Sequence, residues 1–318
     1  MEYRNLGHAG VKVSPLCLGC WNFGARIEAD EAIPIIHAAL DAGINFLDTA
    51  NVYSRGRSEE IVGQAIAQRR DQVVLASKVH SVMGEGPNER GSSRYHIMAQ
   101  VEASLRRLGT DRIDLYQLHG ADPAVPIEET LRALDDLRQQ GKVVYFGTSN
   151  FAAWQLGAAL WSSDRLKLAP IVSTQPPYSL FERRIETEVL PLCRAYGLAV
   201  LPYSPLAGGW LSEKYRRNEP APADSRFASS GRDVTAAEHA ATFDALEALQ
   251  ELATAKEVPL TQLALAWVLA QPGITAPIIG PRTLDQFRDN LGALDVTVTA
   301  EDQQAIDRIV APGSRVLA

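Results

Sequence analysis

Apolar and polar positions follow two patterns that alternate along most of the chain. Short apolar runs, of the kind that form buried strands, are separated by longer segments in which apolar residues recur every three or four positions. The runs occupy residues 16–20, 44–48, 73–78, 113–119, 143–149, 171–175, 198–204 and 275–280. The alternation predicts eight parallel strands with helical cover between them.

The segments between the runs carry the signals that begin and end helices. Residues 96–109 keep their apolar side chains on one face, and Gly109 suits the C-terminal cap. Residues 126–140 have Pro126 in the first turn, and Gly141 ends the helical pattern. Both segments therefore predict amphipathic helices that pack against a sheet.

Eight strand–helix units in series favour closure of the sheet into a barrel. Most strand starts fall about 30 residues apart, as a strand, a helix and two loops require. We predict an α/β fold, a (β/α)8 TIM barrel formed as one domain by residues 1–318, with an N-terminal β-hairpin. The long connections after strands three and seven, residues 79–93 and 205–235, are expected to wall the substrate pocket.

Polar side chains stand at or just beyond the carboxyl ends of most predicted strands. In chain order they are Trp21, Asn22, Asp48, Tyr53, Lys78, His119, Ser149, Asn150, Gln175, Tyr203 and Ser204. Each alone has an ordinary explanation, such as packing for a tyrosine, a helix cap for an aspartate, or a backbone contact for a histidine. Because the carboxyl ends of barrel strands form one rim, their convergence predicts an active site there.

Four of these side chains fit acid catalysis by a phenol. Tyr53 has an ordinary pKa of about 10, so it needs tuning to donate a proton near neutral pH. Lys78 is expected to lower the pKa of Tyr53, and Asp48 to keep Lys78 charged and oriented. His119 is expected to hydrogen-bond a carbonyl oxygen beside Tyr53. The set predicts reduction of a carbonyl group.

Carbonyl reduction needs a hydride, and since no side chain supplies one, a nicotinamide cofactor is implied. The glycines of residues 84–91, "GEGPNERG", do not have the spacing of a dinucleotide-binding loop. The alternative in a barrel is a phosphate site at the last loops and a helix N-terminus. Residues 280–290 with Arg282 are the candidate, although a simple helix start with a solvated arginine is equally consistent with the sequence.

Composition and charge limit the classes of partner that the chain is expected to bind. The chain is 46% hydrophobic and carries a formal net charge of −7, which argues against a general nucleic-acid binder. It contains neither an apolar run long enough to span a membrane nor a signal peptide at its N-terminus, so a cytoplasmic location is expected. The expected partner is a small-molecule carbonyl substrate, and the chain could be a monomer or a homo-oligomer.

Cysteines and histidines do not predict a metal or redox centre. Cys17 and Cys20 form a C-x-x-C pair, but they lie in an apolar, strand-like run, where buried small hydrophobes are the simpler interpretation. The third cysteine is Cys193. The six histidines are scattered without ligand spacing, which argues against a metal-dependent barrel hydrolase and predicts no metal site.

Several long blocks resemble the aldo-keto reductases, which are NADPH-dependent (β/α)8-barrel carbonyl reductases. The blocks include "AGINFLDTANVYSRGRSEEIVGQAI", "LASKVH", "VEASLRRLGTDRIDLYQLHGADP", "QPPYSLFERRIETEVLPLCR" and "LPYSPLAGGWL". Within that family the chain is more similar to the bacterial sugar and aldehyde reductases, and to the related potassium-channel β-subunits, than to the steroid-type branch.

The resemblance implies a role for each candidate residue. Tyr53 is the implied proton donor, Asp48 and Lys78 tune it, and His119 orients the carbonyl. The implied cofactor contacts are Trp21, Asp48, Ser149, Asn150, Gln175, Tyr203, Ser204, Leu206, Gly208, Lys214, Gly280, Arg282, Gln286 and Asn290. The implied substrate pocket contains Trp21, Tyr53, Met83, His119 and Trp210, with Phe23 and Phe227 as further aromatic candidates.

Two departures from the family's pattern bear on specificity. Gly280 stands where many members carry a lysine for the 2′-phosphate, and Arg282 is the expected replacement because a guanidinium matches phosphate geometry. NADPH is therefore expected, with NADH left open. Gly120 stands where relatives carry a larger residue, which predicts a wider pocket.

Two functions remain open from the sequence. The first is an NADPH-dependent reductase of aldehydes and ketones. The second is a nicotinamide-sensing regulatory or binding subunit with slow turnover. The complete set of Asp48, Tyr53, Lys78 and His119 favours the reductase, because a pure sensor need not keep all four.

Overall fold

A parallel eight-stranded sheet curls into the (β/α)8 barrel that the sequence predicts. The computed structural model describes residues 1–223, 225, 228 and 233–317. Its strands are β1 (Arg4–Asn5), β2 (Lys12–Val13), β3 (Cys17–Gly19), β4 (Phe46–Asp48), β5 (Val74–Val79), β6 (Ile113–Leu118), β7 (Val143–Ser149), β8 (Ser173–Gln175), β9 (Ala199–Val200) and β10 (Ile278–Ile279). Strands β1 and β2 form the predicted N-terminal hairpin, and β3–β10 form the barrel sheet.

The barrel closes between its last two strands and its first. Strand β10 pairs with β3 on one side. On the other side, residues 275–278 hydrogen-bond to β9 and to the residues that follow β9. The amide of Thr275 donates to the carbonyl of Val200 at 2.9 Å, and that of Ile278 donates to Pro202 at 2.8 Å. These bonds join the β10 side of the sheet to the β9 side, so the carboxyl ends of all eight strands meet at one rim.

Helices cover the outside of the barrel. They are α1 (Ala29–Asp41), α2 (Arg57–Ile66), α3 (Arg94–Leu108), α4 (Ile127–Gln139), α5 (Ala153–Leu166), α6 (Val189–Tyr196), α7 (Ala240–Ala255), α8 (Leu260–Ala270), α9 (Leu284–Gly292) and α10 (Ala300–Ile309). Helix α3 ends at Gly109 in the left-handed conformation (φ 61°), and α4 begins after Pro126, as predicted. Among the described residues, no helix has both the length and the apolar character needed to cross a bilayer.

The apolar core consists of two clusters, one inside the barrel and one between the barrel strands and the helices. The inner cluster joins alternate strand residues, such as Phe46 and Leu115, to hairpin residues Leu6 and Val13, and all four are fully buried. The outer cluster fills the space between strands and helices. Since the hairpin packs into the amino-terminal end of the barrel, the carboxyl-terminal rim is left for polar side chains.

Candidate active site

A cavity of about 720 Å³ opens at the carboxyl ends of the barrel strands. All of the cofactor contacts predicted from the sequence line it: Trp21, Asp48, Ser149, Asn150, Gln175, Tyr203, Ser204, Leu206, Gly208, Lys214, Gly280, Arg282, Gln286 and Asn290. Tyr53 and His119 line it as well, while Lys78 lies behind Tyr53 with none of its surface exposed. The structure therefore gathers the predicted catalytic and cofactor-binding residues at one mouth.

The Lys78 ammonium contacts two other members of the predicted catalytic set, Asp48 and Tyr53. Its Nζ pairs with the carboxylate of Asp48 and donates hydrogen bonds to the carbonyl of Thr49 at 3.0 Å and to Tyr53 Oη at 3.1 Å. An ammonium has three hydrogens, and these three partners use all of them. Because Tyr53 Oη accepts this bond, its own hydrogen is available to point into the cavity.

Asp48 is held through both of its carboxylate oxygens. One oxygen pairs with Lys78, and the other accepts hydrogen bonds from Gln117 at 3.0 Å and from Gln175 at 2.8 Å. Gln117 was not among the residues predicted from the sequence, although a polar residue inside the apolar run "IDLYQLH" was a usable signal. These bonds satisfy both oxygens of a nearly buried carboxylate.

Burial and charge shift the pKa values of Lys78 and Tyr53. Burial disfavours the ammonium, but the attraction of Asp48 and Tyr53 outweighs it and raises the pKa of Lys78. Burial raises the pKa of Tyr53, Lys78 acts to lower it, and Asp48 adds to the rise. The expected lowering of the Tyr53 pKa is therefore wrong in its net direction, because desolvation and the Asp48 charge exceed the effect of Lys78. Tyr53 keeps its proton, and Lys78 polarises the O–H bond without ionising it.

A tight turn after β4 brings Tyr53 back over Lys78. The Tyr53 amide donates to the carbonyl of Ala50 at 3.1 Å, and the Asn51 amide donates to that of Lys78 at 3.3 Å. Ser54 and Arg55 then take left-handed backbone angles, with φ of 49° and 54°. The "TANV" loop is thus pinned to the neighbouring strand, which fixes the phenol relative to the ammonium.

His119 stands next to Tyr53 at the end of β6. The two rings meet edge to face with centroids 5.7 Å apart. Burial lowers the pKa of His119 to about 3, and the nearby Lys78 charge adds to the fall, so the ring is neutral at neutral pH. His119 Nδ1 is buried without a partner among the described residues. A buried acceptor nitrogen without a partner costs less free energy than a buried N–H without one. The neutral ring of His119 is therefore expected to carry its hydrogen on Nε2, with Nδ1 as the acceptor.

The rim after β7 and β9 supplies polar groups beside the catalytic set. Ser149 Oγ donates to the carbonyl of Gln175 at 2.8 Å, and Asn150 Nδ2 donates to that of His119 at 3.0 Å. Tyr203 Oη donates to Asn150 Oδ1 at 2.9 Å. Asn150 has a left-handed backbone (φ 58°), a conformation that asparagine tolerates better than most residues. These side chains are linked to one another across the mouth.

The far end of the cavity is suited to an anion. Helix α9 begins there, with the Thr283 hydroxyl accepting from the amide of Gln286 at 3.1 Å. Arg282 and Lys214 both line the same space, and a helix N-terminus favours negative charge. A Cβ on Gly209 would lie 2.6 Å from Lys214 Nζ, so the glycine makes room for that ammonium. Cations and a helix start fit the phosphates of a dinucleotide.

Gly280 has a physical reason to lack a side chain. A Cβ there would lie 3.2 Å from Trp21 Nε1 and 3.6 Å from Asn22 Nδ2. Asn22 Nδ2 also donates to the Gly280 carbonyl at 3.0 Å, which ties the loop after β3 to the end of β10. A side chain at position 280 would therefore require the Trp21 ring to shift by a few tenths of an ångström.

Two residues predicted for the substrate pocket, Met83 and Trp210, do not line this cavity. Trp210 is buried against Phe243 and Tyr215 rather than lining the cavity, because the turn at Gly208 and Gly209 directs it into that aromatic cluster. Met83 does not line the cavity either, since its loop folds back on itself through the bond from the Met83 amide to the Glu89 carbonyl.

The predictions for the two long loops, 79–93 and 205–235, have different outcomes. No residue of 79–93 is among the cavity lining, so the prediction that this loop walls the cavity is wrong. The described first part of 205–235 does line the cavity. The lining residues are Pro205, Leu206, Gly208, Gly209, Ser212, Lys214 and Pro222. Phe227 lies outside the described residues. Phe23 is fully buried in the outer core.

The cysteines are not arranged for redox chemistry. Cys17, Cys20 and Cys193 are free and buried, as the simpler sequence interpretation expected. Burial raises the pKa of all three thiols, to about 12 for Cys193. A raised thiol pKa makes the reactive thiolate scarce. Among the described residues, no group of three or more His, Cys, Asp or Glu side chains is placed to hold a metal ion.

Comparison with known proteins agrees with this geometry. Residues 15–311 match the family model described as "Aldo/keto reductase family". The chain is 42% identical over 312 residues to "Uncharacterized oxidoreductase YrpG" of Bacillus subtilis (strain 168), covering 95% of this chain and 93% of that protein.

Two other relatives differ in their described roles. The chain is 39% identical over 318 residues to a "Probable voltage-gated potassium channel subunit beta" of Oryza sativa subsp. japonica, covering 98% of this chain and 96% of that protein. It is 32% identical over 346 residues to "Versiconal hemiacetal acetate reductase" of Aspergillus parasiticus, covering 99% of this chain and all of that protein (100%).

Proposed function

Because the chain belongs to the aldo/keto reductase family of oxidoreductases, we propose that it reduces aldehydes or ketones to alcohols with NADPH, with Tyr53 as the general acid. The single observation that carries this proposal is the position of Tyr53 Oη. It accepts a hydrogen bond from Lys78 at 3.1 Å and faces a cavity that His119 also lines. Family membership also agrees with the resemblance found in the sequence motifs.

The residues of this chain divide the work at the carbonyl oxygen. Tyr53 donates its proton to that oxygen as the carbonyl becomes an alcohol. Lys78 stabilises the phenolate that Tyr53 leaves behind, and Asp48 keeps Lys78 charged. His119 is neutral and donates from Nε2 to the same oxygen, which orients the carbonyl and stabilises its developing negative charge. A bound nicotinamide supplies the hydride that the carbonyl carbon receives.

The cavity lining supports a nicotinamide dinucleotide as the cofactor. The polar groups of Ser149, Asn150 and Gln175 lie beside the catalytic set, where they would hold the carboxamide. Tyr203 offers a flat face for the ring. At the other end, Arg282 and the start of helix α9 would hold the phosphates. Arg282 supports NADPH over NADH, because a guanidinium matches a 2′-phosphate.

A regulatory subunit that senses nicotinamide is the second candidate. The similarity to a protein named as a probable potassium channel β-subunit favours it. It predicts tight cofactor retention, negligible turnover and a partner protein. The four-residue catalytic set supports the reductase instead, because cofactor sensing alone requires no proton donor. A single domain, a cytoplasmic location, and a monomer or homo-oligomer remain predictions under either function.

The deciding experiment measures NADPH and NADH oxidation over a panel of aldehydes, ketones and sugars. We expect turnover with reactive aldehydes, and a fall of roughly 10²–10⁴-fold in kcat for Tyr53→Phe, the range that a general acid contributes. Tyr95→Phe is the matched control, because Tyr95 is 71% exposed on the outer helices. Cofactor affinity, followed by tryptophan fluorescence, should be retained in both variants.

Two outcomes would reject the reductase. Unchanged turnover in Tyr53→Phe would remove Tyr53 from the mechanism. No turnover over the panel, together with tight retention of the nicotinamide, would favour the sensing subunit.

A further inference from the structure

Glu59 is a buried acidic residue that the proposed mechanism does not use. It lies in the first turn of α2 and has none of its surface exposed. Its carboxylate accepts hydrogen bonds from Ser77 Oγ on β5 and, at 2.7 Å, from Arg107 Nε on α3. These partners offset the cost of burying the carboxylate. Glu59 therefore fastens α2 to a barrel strand and to the next helix.

The bond to Ser77 reaches the strand position next to Lys78. The two residues are consecutive in β5, so their side chains leave opposite faces of the sheet. Lys78 points into the barrel toward Asp48, whereas the Ser77 hydroxyl meets Glu59 on the helix side. The backbone that carries the ammonium is therefore held on its outer face by the Glu59 carboxylate.

Arg107 extends the same support to the turn that follows Tyr53. Residues 54–56 all have left-handed backbone angles, with φ of 49°, 54° and 94°. Such a run is unfavourable for residues with side chains and persists where surrounding contacts impose it. Arg107 lies directly against the turn, since a Cβ on Gly56 would be 2.5 Å from Arg107 Cδ and 2.7 Å from Nε. The ion pair with Glu59 thus keeps the arginine in contact with the turn.

Ser58, also in the first turn of α2, holds the end of β4. It is fully buried, and its Oγ donates to the carbonyl of Cys20 at 2.8 Å and lies 2.8 Å from Thr49 Oγ1. Thr49 follows Asp48 directly, and its carbonyl accepts a hydrogen bond from Lys78. The start of α2 therefore contacts the backbone beside Asp48 as well as the backbone beside Lys78.

We propose that Arg107 is a positioning residue that, through its ion pair with Glu59, holds the turn after Tyr53 so that the phenol stays aligned with the ammonium. The inference rests on the proposed reductase function. Glu59 reaches the strand of the ammonium through Ser77 and the turn of the phenol through Arg107. One carboxylate thus fixes both sides of the 3.1 Å contact between Lys78 and Tyr53. Neither Glu59 nor Arg107 lines the cavity, so their effect on Tyr53 is carried by the backbone.

The first test is Arg107→Met, which keeps an apolar stem on Gly56 and removes the ion pair. A small misplacement of a catalytic group slows the chemical step without removing a binding contact. We therefore expect kcat for propanal to fall by roughly 10–100-fold, with KM and the Kd of NADPH changed by less than about twofold. Arg107→Lys should recover most of the lost kcat, because an ammonium on a long stem can still donate to Glu59.

Arg183→Met is the control for loss of a buried ion pair. Arg183 is 2% exposed and paired with Glu186, but it does not line the cavity. Its loss should lower stability and leave kcat near the wild-type value. An equal fall of kcat in Arg107→Met and Arg183→Met would overturn the inference, since general destabilisation would then be the cause.

A milder variant keeps the test informative if Arg107→Met folds poorly. Ser77→Ala removes one hydroxyl from the other partner of Glu59, and it should lower kcat by about threefold, as loss of one hydrogen bond implies. Ser173→Ala is its control, because Ser173 Oγ is buried on β8 without a hydrogen-bond partner in the part of the chain that the structure describes. Unchanged kcat in both Arg107→Met and Ser77→Ala overturns the inference.

A measurement without substrate separates this inference from the reductase function. The ring resonance of Tyr53 in the carbon NMR spectrum of tyrosine-labelled protein can be identified by its absence in Tyr53→Phe. It should move in Arg107→Met and stay in place in Arg183→Met, and an unmoved resonance in both contradicts a role for Arg107 in placing the phenol. Aldehyde reduction that is lost only in Tyr53→Phe would then leave the reductase function standing. If the wild type shows no turnover, the reductase function fails, and the resonance alone decides whether Arg107 positions Tyr53.

Discussion

Lys78 Nζ lies 3.1 Å from Tyr53 Oη while the same ammonium is paired with Asp48 and bonded to the carbonyl of Thr49. The relationship is directional, because a fully protonated ammonium can only donate to the phenol oxygen. Tyr53 is left with its hydrogen facing the cavity. Under the proposed function, catalysis and stability are coupled at Lys78, since the charge that would prepare the phenol also neutralises a buried carboxylate.

The first prediction concerns the loss of that ammonium. Lys78→Met should reduce the free energy of unfolding by about 3–5 kcal/mol, because Asp48 is left as an uncompensated buried charge. Turnover should fall as well, since nothing then stabilises the Tyr53 phenolate. Chemical denaturation followed by fluorescence measures the first effect, and NADPH oxidation measures the second.

The double variant Lys78→Met with Asp48→Asn separates the two effects. It removes both charges, so most of the lost stability should return while activity stays absent. The control is Lys142→Met, which breaks a partly exposed pair with Glu102 and should cost about 1 kcal/mol or less. Equal stability of the single and double Lys78 variants would show that the buried charge is not the cause.

A second prediction follows from the burial of His119. Its folded-state pKa of about 3 lies below its ordinary value of 6.5, so the unfolded chain binds an extra proton between those two values. The His119 contribution to stability is thus fully present above pH 6.5 and is lost as pH falls toward 3, by at most about 1.4 kcal/mol per pH unit. His119→Phe should flatten the fall in unfolding free energy between pH 6 and pH 4. An identical pH profile for wild type and variant would contradict a buried neutral His119.

The sequence was sufficient to predict the barrel and the placement of the four candidate catalytic residues at one rim, because both depend on local pattern and strand order. Asp48 and Lys78 lie at the ends of their strands, and Tyr53 and His119 lie just beyond strand ends. Closure of a parallel sheet brings such ends together whatever the helices do. The rim position of a residue is thus encoded by where its strand ends. The prediction of which strand-end side chains meet at the rim agrees with the structure, whereas the same rule was wrong for the loop 79–93.

Predictions that depended on side-chain direction or on opposing energies failed. Trp210 turns inward at two left-handed glycines, and no periodicity in the loop reports that direction. Whether the pKa of Tyr53 rises or falls depends on whether burial outweighs the charge of Lys78, and burial is set by the whole fold. The ring beside Gly120 belongs to His80, which follows a different strand, so this contact could not be predicted from the loop that contains Gly120.

A third prediction tests cofactor choice at Arg282. Arg282→Gln should weaken NADPH binding by roughly 10–100-fold and NADH binding by much less, because a charge-assisted bond to the 2′-phosphate is lost. The matched control is Arg288→Gln on helix α9, where the arginine is 70% exposed and paired with Asp285. Kd values for both cofactors can be obtained from fluorescence titrations. A similar loss for NADPH and NADH would assign Arg282 to a phosphate that both cofactors share.

The last prediction isolates the backbone strain at His80. His80→Ala and His80→Gly both remove the imidazole and its bond to Ser92, so they differ only in the Cβ. In an unstrained position glycine is less stable than alanine by roughly 0.5–1 kcal/mol, because the unfolded chain gains freedom. At φ +143° the order should reverse, with His80→Gly more stable by about 1 kcal/mol, since a Cβ is unfavourable there. If the two variants have equal m values, their denaturation midpoints show which of them is more stable. If the alanine variant is the more stable, the 79–93 loop imposes no strain on His80, and the ring position must be explained by its contacts with Ser92 and Gly120 alone.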